Sequence, residues 1–325
     1  MKNILEKELV VFSLFILYDE KFKNDSLFPI PKICLDSMLK QRVFFKNIPY
    51  HLALDFNVLT KNQVCETRKL LKAIDIELFN LNDLEYYLSY KQLESLQEDE
   101  SSRGMILKTP KAEHIDYTKL LLLSSATKIN KSILVTDFDI EYPSTTCIKV
   151  NPKCQFAMIS SKQAQPIGVS SLRNYENSLM YSTPVGAKYL NNKLQPIQKY
   201  FFANKDERLK TPLVKYRKLR EQERRTLGLD GVQFEYFYRF TNELAFDYKL
   251  QSSIDPTIVS NCNALDKTGT WKNISGQKYI SMSEAEKAIA LKTNGPNHQN
   301  ETILPFLFSE AQDKNLPIKL SAKLP

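Results

Sequence analysis

The sequence predicts an α/β protein built on a mostly parallel sheet, and three stretches of it carry that prediction. The run from Leu9 to Tyr18 is almost wholly apolar and rich in Val, Phe and Ile, as a central strand covered on both faces would be. From Tyr50 to Phe56, Leu52, Leu54 and Phe56 alternate with His51, Ala53 and Asp55, which is the period of a strand. Ser132 to Thr136 is a third β-rich run and ends on Asp137. Helical patterns separate the three, and strands that alternate with helices pair in parallel.

Taken in order, the opening run is far shorter than the roughly 20 residues that cross a bilayer. Glu6 and Glu8 before it, and Asp19 and Glu20 after it, are wrong for a cleaved leader, so it is read as a buried first strand. Pro29 and Pro31 mark a turn, and a helix follows from Leu35 to about Phe45. Thr60 and Gln63 have the spacing of a capping box, Val64, Leu71 and Ile74 continue that helix, and Ile76 to Phe79 is a further short strand. Asn82 to Glu113 is polar, with an acidic run at Glu98, Asp99 and Glu100, and reads as a loop or an excursion off the sheet. Asp116 to Ala126 is helical around its Leu120–Leu123 block. Beyond Asn191 the pattern is mostly helical until a turn-rich stretch from Asp255 to Gly276. Ser283 and Glu286 then form a second capping box, whose helix Asn294, Gly295 and Pro296 close. No internal repeat is present. Three regions result: an α/β core over 1–190, a mainly helical insertion over 191–255 and a C-terminal part over 256–325.

Composition narrows the function classes. A hydrophobic fraction of 42% and a charged fraction of 25%, with 16 Tyr and 18 Phe against 8 Gly, exclude a disordered or collagen-like chain. The net charge of +8 is spread out, because 37 acidic residues are interleaved with 45 basic ones, and this argues against nucleic acid as a partner. The steepest basic excess runs from Lys205 to Arg225. It suits an acidic partner or an anionic membrane surface, or is simply a solvated helix face. Cys34, Cys65, Cys147, Cys154 and Cys262 are odd in number and scattered, so neither a disulfide framework nor a zinc knuckle is expected, and a reducing, cytoplasmic environment fits. His51, His114 and His298 are far apart, so any metal is held mainly by oxygen. Neither a G-x-G-x-x-G nor a Walker loop occurs.

Chemistry concentrates in Ile133-Leu134-Val135-Thr136-Asp137-Phe138-Asp139-Ile140-Glu141. In an extended strand, residues two apart share a face. Asp137 and Asp139 then converge on one hard cation, Mn2+ or Mg2+, while Phe138 packs the other way. Ligands of open α/β sheets bind beyond the carboxyl ends of the strands, where this pair is expected to lie. A hydrophobic strand ending in D-x-D midway along an α/β chain resembles the metal motif of GT-A fold glycosyltransferases, particularly the sugar-binding DXD group that includes bacterial glucosylating toxins and effectors. The resemblance implies a Rossmann-like nucleotide-sugar-binding sheet with helical insertions and a UDP-sugar donor. It also implies transfer of a hexose to a hydroxyl of a protein or glycan acceptor.

Two more segments carry the resemblance. His114-Ile115-Asp116-Tyr117-Thr118-Lys119-Leu120 stands where the family places an Asp and, three residues on, an Arg against the donor sugar. Here Lys119 replaces the Arg fork with a point charge, and the usual glycine pair before the metal strand is absent. Asn174 to Pro184 resembles the segment in which an acidic residue and an Asn line the donor pocket, giving Glu176 and Asn177. The plain alternative is that Asn177 caps the next element. The family also places a hydroxyl residue and a Trp over the diphosphate. Thr270 and the single Trp271 suit this, with Asp266 as a further metal ligand, although Trp271 serves equally as a packing anchor. Phe12, Phe15 and Tyr18 are nominated as nucleotide contacts, against core packing. Glu176 and Asp266 are alternatives for a base in an inverting reaction, while the resemblance implies retention. It also implies an effector secreted into a host cell. Two rivals stand beside this reading. One is a haloacid dehalogenase-like phosphatase with Asp137 as nucleophile. The other is a non-enzymatic adaptor that docks through Lys205–Arg225 and Phe234–Phe240.

Overall fold

The structure is a computed structural model that describes residues 8–16, 23–90, 111–138, 140–142, 148–150, 155–160, 175–199, 237, 240, 257–258, 263–264, 278–293 and 306–308. In chain order, β1 (Leu9–Leu14) and β2 (Leu27–Pro31) lead into α1 (Lys32–Phe44). Next come β3 (Tyr50–Leu54), α2 (Lys61–Lys72) and β4 (Ile76–Asn80). Two helices, α3 (Lys111–Ser124) and the single-turn α4 (Ala126–Ile129), precede β5 (Ser132–Thr136), β6 (Ile140–Glu141), β7 (Ile148–Val150), β8 (Phe156–Ser160) and β9 (Tyr175–Ser182). The rest comprises α5 (Pro184–Gln198), β10 (Thr257–Ile258), β11 (Asn263–Ala264), β12 (Tyr279–Ser281), α6 (Met282–Thr293) and β13 (Phe306–Phe308).

Seven strands form the central sheet in the order β10-β8-β9-β5-β1-β3-β4. β1 pairs in parallel with β3 and β5, β3 pairs in parallel with β4, and only β9 runs against its neighbours β5 and β8. The α/β class and the parallel strands read from the sequence are therefore observed. All six residues of β1 are buried, which is why the strand is apolar without alternation. Ser132–Thr136 forms a strand with the predicted bounds. The box at Thr60 is formed as well: Thr60 Oγ1 accepts from the Gln63 amide at 3.0 Å and Gln63 Oε1 accepts from the Thr60 amide at 3.3 Å.

Several expectations need correction. Pro29 and Pro31 do not mark a turn. They lie in β2, which among the described residues pairs with β12 alone in a two-stranded ribbon, an edge setting where the missing amide is tolerated. The helix after it begins at Lys32 rather than Leu35. The second box forms at Ser281 and Glu284, two residues before the predicted pair: the Ser281 amide donates to Glu284 Oε2 at 2.8 Å and the Glu284 amide to Ser281 Oγ at 3.1 Å. Both S-x-x-E patterns exist in the sequence, and the pairing of β12 with β2 selects the first by bringing the Met282 amide to 2.8 Å from the Ser26 carbonyl. Residue 191, where the sequence reading starts the helical insertion, falls inside α5, which packs on α3 and α4.

Candidate functional site

β5 stops at Thr136, so Asp137 stands just past its carboxyl end, outside the strand. Phe138 is buried and packs toward Phe15. Asp139 lies outside the described residues. β5 has ended before Asp137 and Phe138 lies in a turn, so the two aspartates do not sit on one face of a continuous strand as the sequence reading supposed.

Three elements meet at Asp137. α3 returns to β5 through a short connection, which brings its N-terminal half beside the strand's exit. Asp116 and Lys119, three apart on this helix, share one face. β9 enters antiparallel at the same level, with Leu179 opposite Thr136, and the Asp137 amide donates to the Ser178 carbonyl at 2.8 Å. Lys119 Nζ is 2.7 Å from each carboxylate oxygen of Asp137 and donates to the Asn177 carbonyl at 3.0 Å. Asn177 Nδ2 donates to Asp116 Oδ1. Four predicted residues, Asp116, Lys119, Asn177 and Asp137, thus form one connected cluster. Lys119 is 2% exposed, whereas the Asp137 side chain is 27% exposed, so the cation is buried beneath a carboxylate that still reaches solvent. Asn177 does not cap the next helix; Thr183 does so, accepting from the Gly186 amide at 3.1 Å, with Pro184 at the first helical position.

No group of three side chains able to hold a metal occurs among the described residues. A carboxylate offers about four lone-pair positions, and Lys119 takes one side of each oxygen. The solvent-reaching part of Asp137 fits an oxygen-bound cation of the kind held by one or two carboxylates plus substrate phosphates, rather than by a protein cage.

The other nominated residues are dispersed. Phe12 is buried in β1, stacked on His51 at 4.8 Å and 19° and edge-on to Phe79. Its ring also lines a cavity of about 370 Å³, together with Leu121, Ser124, Asn191 and Gln198, and none of the Asp137 cluster borders that cavity. Phe15 is likewise buried. Glu176 has its backbone in β9 opposite Ile159. Tyr18, Asp266, Thr270, Trp271 and the basic stretch 205–225 lie outside the described residues. Within Phe234–Phe240, Phe237 is fully buried against Tyr90 and Tyr117, so it is a core residue and not part of a docking surface.

A second layer escaped the sequence reading. On the opposite side of β1 from Phe12, Ser13, Gln41 and Tyr50 are buried and hydrogen-bonded together behind the Asp137 turn. The available signals were a Ser inside an otherwise apolar strand and a Gln in the buried stripe of α1.

No protein-family model and no curated protein matches the sequence. Among solved structures, the chain is similar to a transferase studied as a cysteine-to-serine mutant, at 16% identity and a TM-score of 0.40, over 66% of this chain and 87% of that one. It is similar to the bacterial N-acetylglucosamine transferase NleB at 10% identity and a TM-score of 0.35, over 74% and 92%. The PaToxG glycosyltransferase is similar at 11% identity and a TM-score of 0.33, over 76% and 88%. Likenesses this distant assign no residue a role.

Proposed function

We propose that the chain is a divalent-metal-dependent glycosyltransferase that moves a hexose from a UDP-sugar to a hydroxyl of a protein or glycan acceptor. The observation that carries this reading is the convergence of Asp116, Lys119, Asn177 and Asp137 at the carboxyl edge of the sheet, where α/β folds bind their ligands. Asp137 and Asp139 would hold Mn2+ or Mg2+, with Asp266 as a further ligand; such an ion stabilises negative charge on a departing diphosphate. Lys119 fixes the Asp137 carboxylate from beneath and neutralises it in part. Asp116 and Asn177, already joined to each other, offer hydrogen-bonding groups for the hydroxyls of the donor sugar. Thr270 and Trp271 are assigned to the diphosphate, Tyr18 to the nucleotide and Glu176 to the donor pocket, whereas Phe12, packed on His51 and Phe79 away from the Asp137 cluster, is left to the core. A GT-A arrangement, retention of configuration and a role as a secreted bacterial effector complete the proposal.

The decisive experiment measures UDP release from a panel of UDP-sugars with and without Mn2+. Asp137→Asn and Asp139→Asn should each cut the metal-stimulated release by at least about 100-fold; Asp137→Asn also strands the buried Lys119 ammonium and lowers the melting temperature, so release is measured well below it. Full turnover in both variants would sink the assignment. One observation favours the phosphatase rival, since its nucleophilic Asp needs a Lys nearby and Lys119 contacts Asp137. Hydrolysis of p-nitrophenyl phosphate that requires Asp137, with no release of UDP, would select it.

A further inference from the structure

The acidic turn is gripped from behind by side chains that take no part in the proposed chemistry. Gln41, on α1, donates through Nε2 to the carbonyls of both Asp137, at 2.7 Å, and Ile140, at 3.0 Å. Its Oε1 accepts from Tyr50 Oη at 2.8 Å, and Ser13 Oγ lies 3.3 Å from the same oxygen. Ser13 Oγ also reaches the Thr136 carbonyl at 3.0 Å, and Ser37 Oγ donates to the Phe138 carbonyl. Carbonyls at 136, 137, 138 and 140, on both flanks of Asp139, are thereby drawn toward α1 and β1. Gln41 is 1% exposed, Ser13 is fully buried and Tyr50 is 1% exposed, so water does not replace these bonds.

The amide can sit only one way round. Both hydrogens of the Gln41 amide nitrogen are used on two carbonyls and its oxygen faces two hydroxyls; turning the amide over would set oxygen against oxygen at both carbonyls. The turn's own closing contact, from the Ile140 amide to the Asp137 carbonyl, is 3.4 Å and long for a hydrogen bond, so the side chain supplies the tighter hold.

From this geometry we infer that Gln41 is a positioning residue that holds the backbone at Asp137 and Ile140, and so sets the aim of the Asp137 carboxylate. Its effect on turnover rests on the glycosyltransfer reading; its effect on the turn does not. Gln41→Glu keeps the size and the acceptor facing Tyr50 but removes both donors. Its effect should match the 10- to 100-fold losses typical of residues that orient metal ligands: slower Mn2+-stimulated UDP release and about tenfold more Mn2+ needed for half-maximal rate. Hydrogen–deuterium exchange should rise at least tenfold in the peptide spanning residues 136–142 and stay unchanged in β3 and α2. Ser37→Ala, a milder cut at the Phe138 carbonyl, should shift the same readouts in the same direction and serves if Gln41→Glu does not fold. A purely structural Gln41 would lower the melting temperature while leaving the Mn2+ requirement and the local exchange at wild-type values, and that result overturns the inference. If the wild type releases no UDP, the functional proposal fails, and the exchange measurement alone decides the role of Gln41.

Discussion

Lys119 is the residue on which the site's charge balance turns. Burying an ammonium is tolerable only with a partner, and Asp137 takes two of its bonds at 2.7 Å. Lys119→Met should destabilise the fold by about 2–3 kcal/mol in urea unfolding. That is less than the roughly 3–5 kcal/mol of a fully buried broken pair, because Asp137 reaches water. Adding Asp137→Asn should restore part of the loss in a double-mutant cycle, since the stranded carboxylate is then removed. His51 offers a separate test. Burial lowers its pKa from the usual 6.5, with Glu77 at 3.5 Å opposing the shift. The folded protein therefore binds fewer protons than the unfolded chain, so stability contributed by neutral His51 is present above about pH 6.5 and lost as pH falls below it. Melting temperature should drop less between pH 7.5 and 5 in His51→Gln than in the wild type.

The helix that follows β9 shows how an element is fixed by one close approach. A Cβ on Gly186, in the first turn of α5, would sit 1.9 Å from the carbonyl oxygen of Gln155, and Gln155 also contacts the capping Thr183. Helix and strand β8 are pinned together at a spacing that only glycine allows. Gly186→Ala should cost at least about 2 kcal/mol by thermal unfolding, although in an open helix the same change would stabilise. The capping residues at Thr60 and the strand at Ser132–Thr136 could be read directly from sequence, because each depends on residues within a few positions. The strand at Leu27–Pro31 could not: its prolines signal a turn locally, and only a partner some 250 residues away makes it a strand.

Across the whole molecule, segments some 250 residues apart support each other. β12 pairs with β2, and α6 packs on α1 and α2 with Ile280, Ala285 and Ile289 buried. Truncation after residue 277 should expose this apolar surface and remove roughly 3–6 kcal/mol for the two isoleucines, read as a melting temperature lower by about 10 °C or more, or as aggregation. Apolar periodicity, a local property, already implies the α/β class and the parallel central strands, and the family resemblance nominates Asp116, Lys119, Asn177 and Asp137, which the fold joins by hydrogen bonds. Long-range packing is what puts Lys119 beneath Asp137, buries Phe12 and Phe237, and brings Gln41, Ser13 and Tyr50 together behind the Asp137 turn. These contacts join residues from 9 to 123 positions apart, and a buried hydrogen bond between them leaves no pattern along the chain.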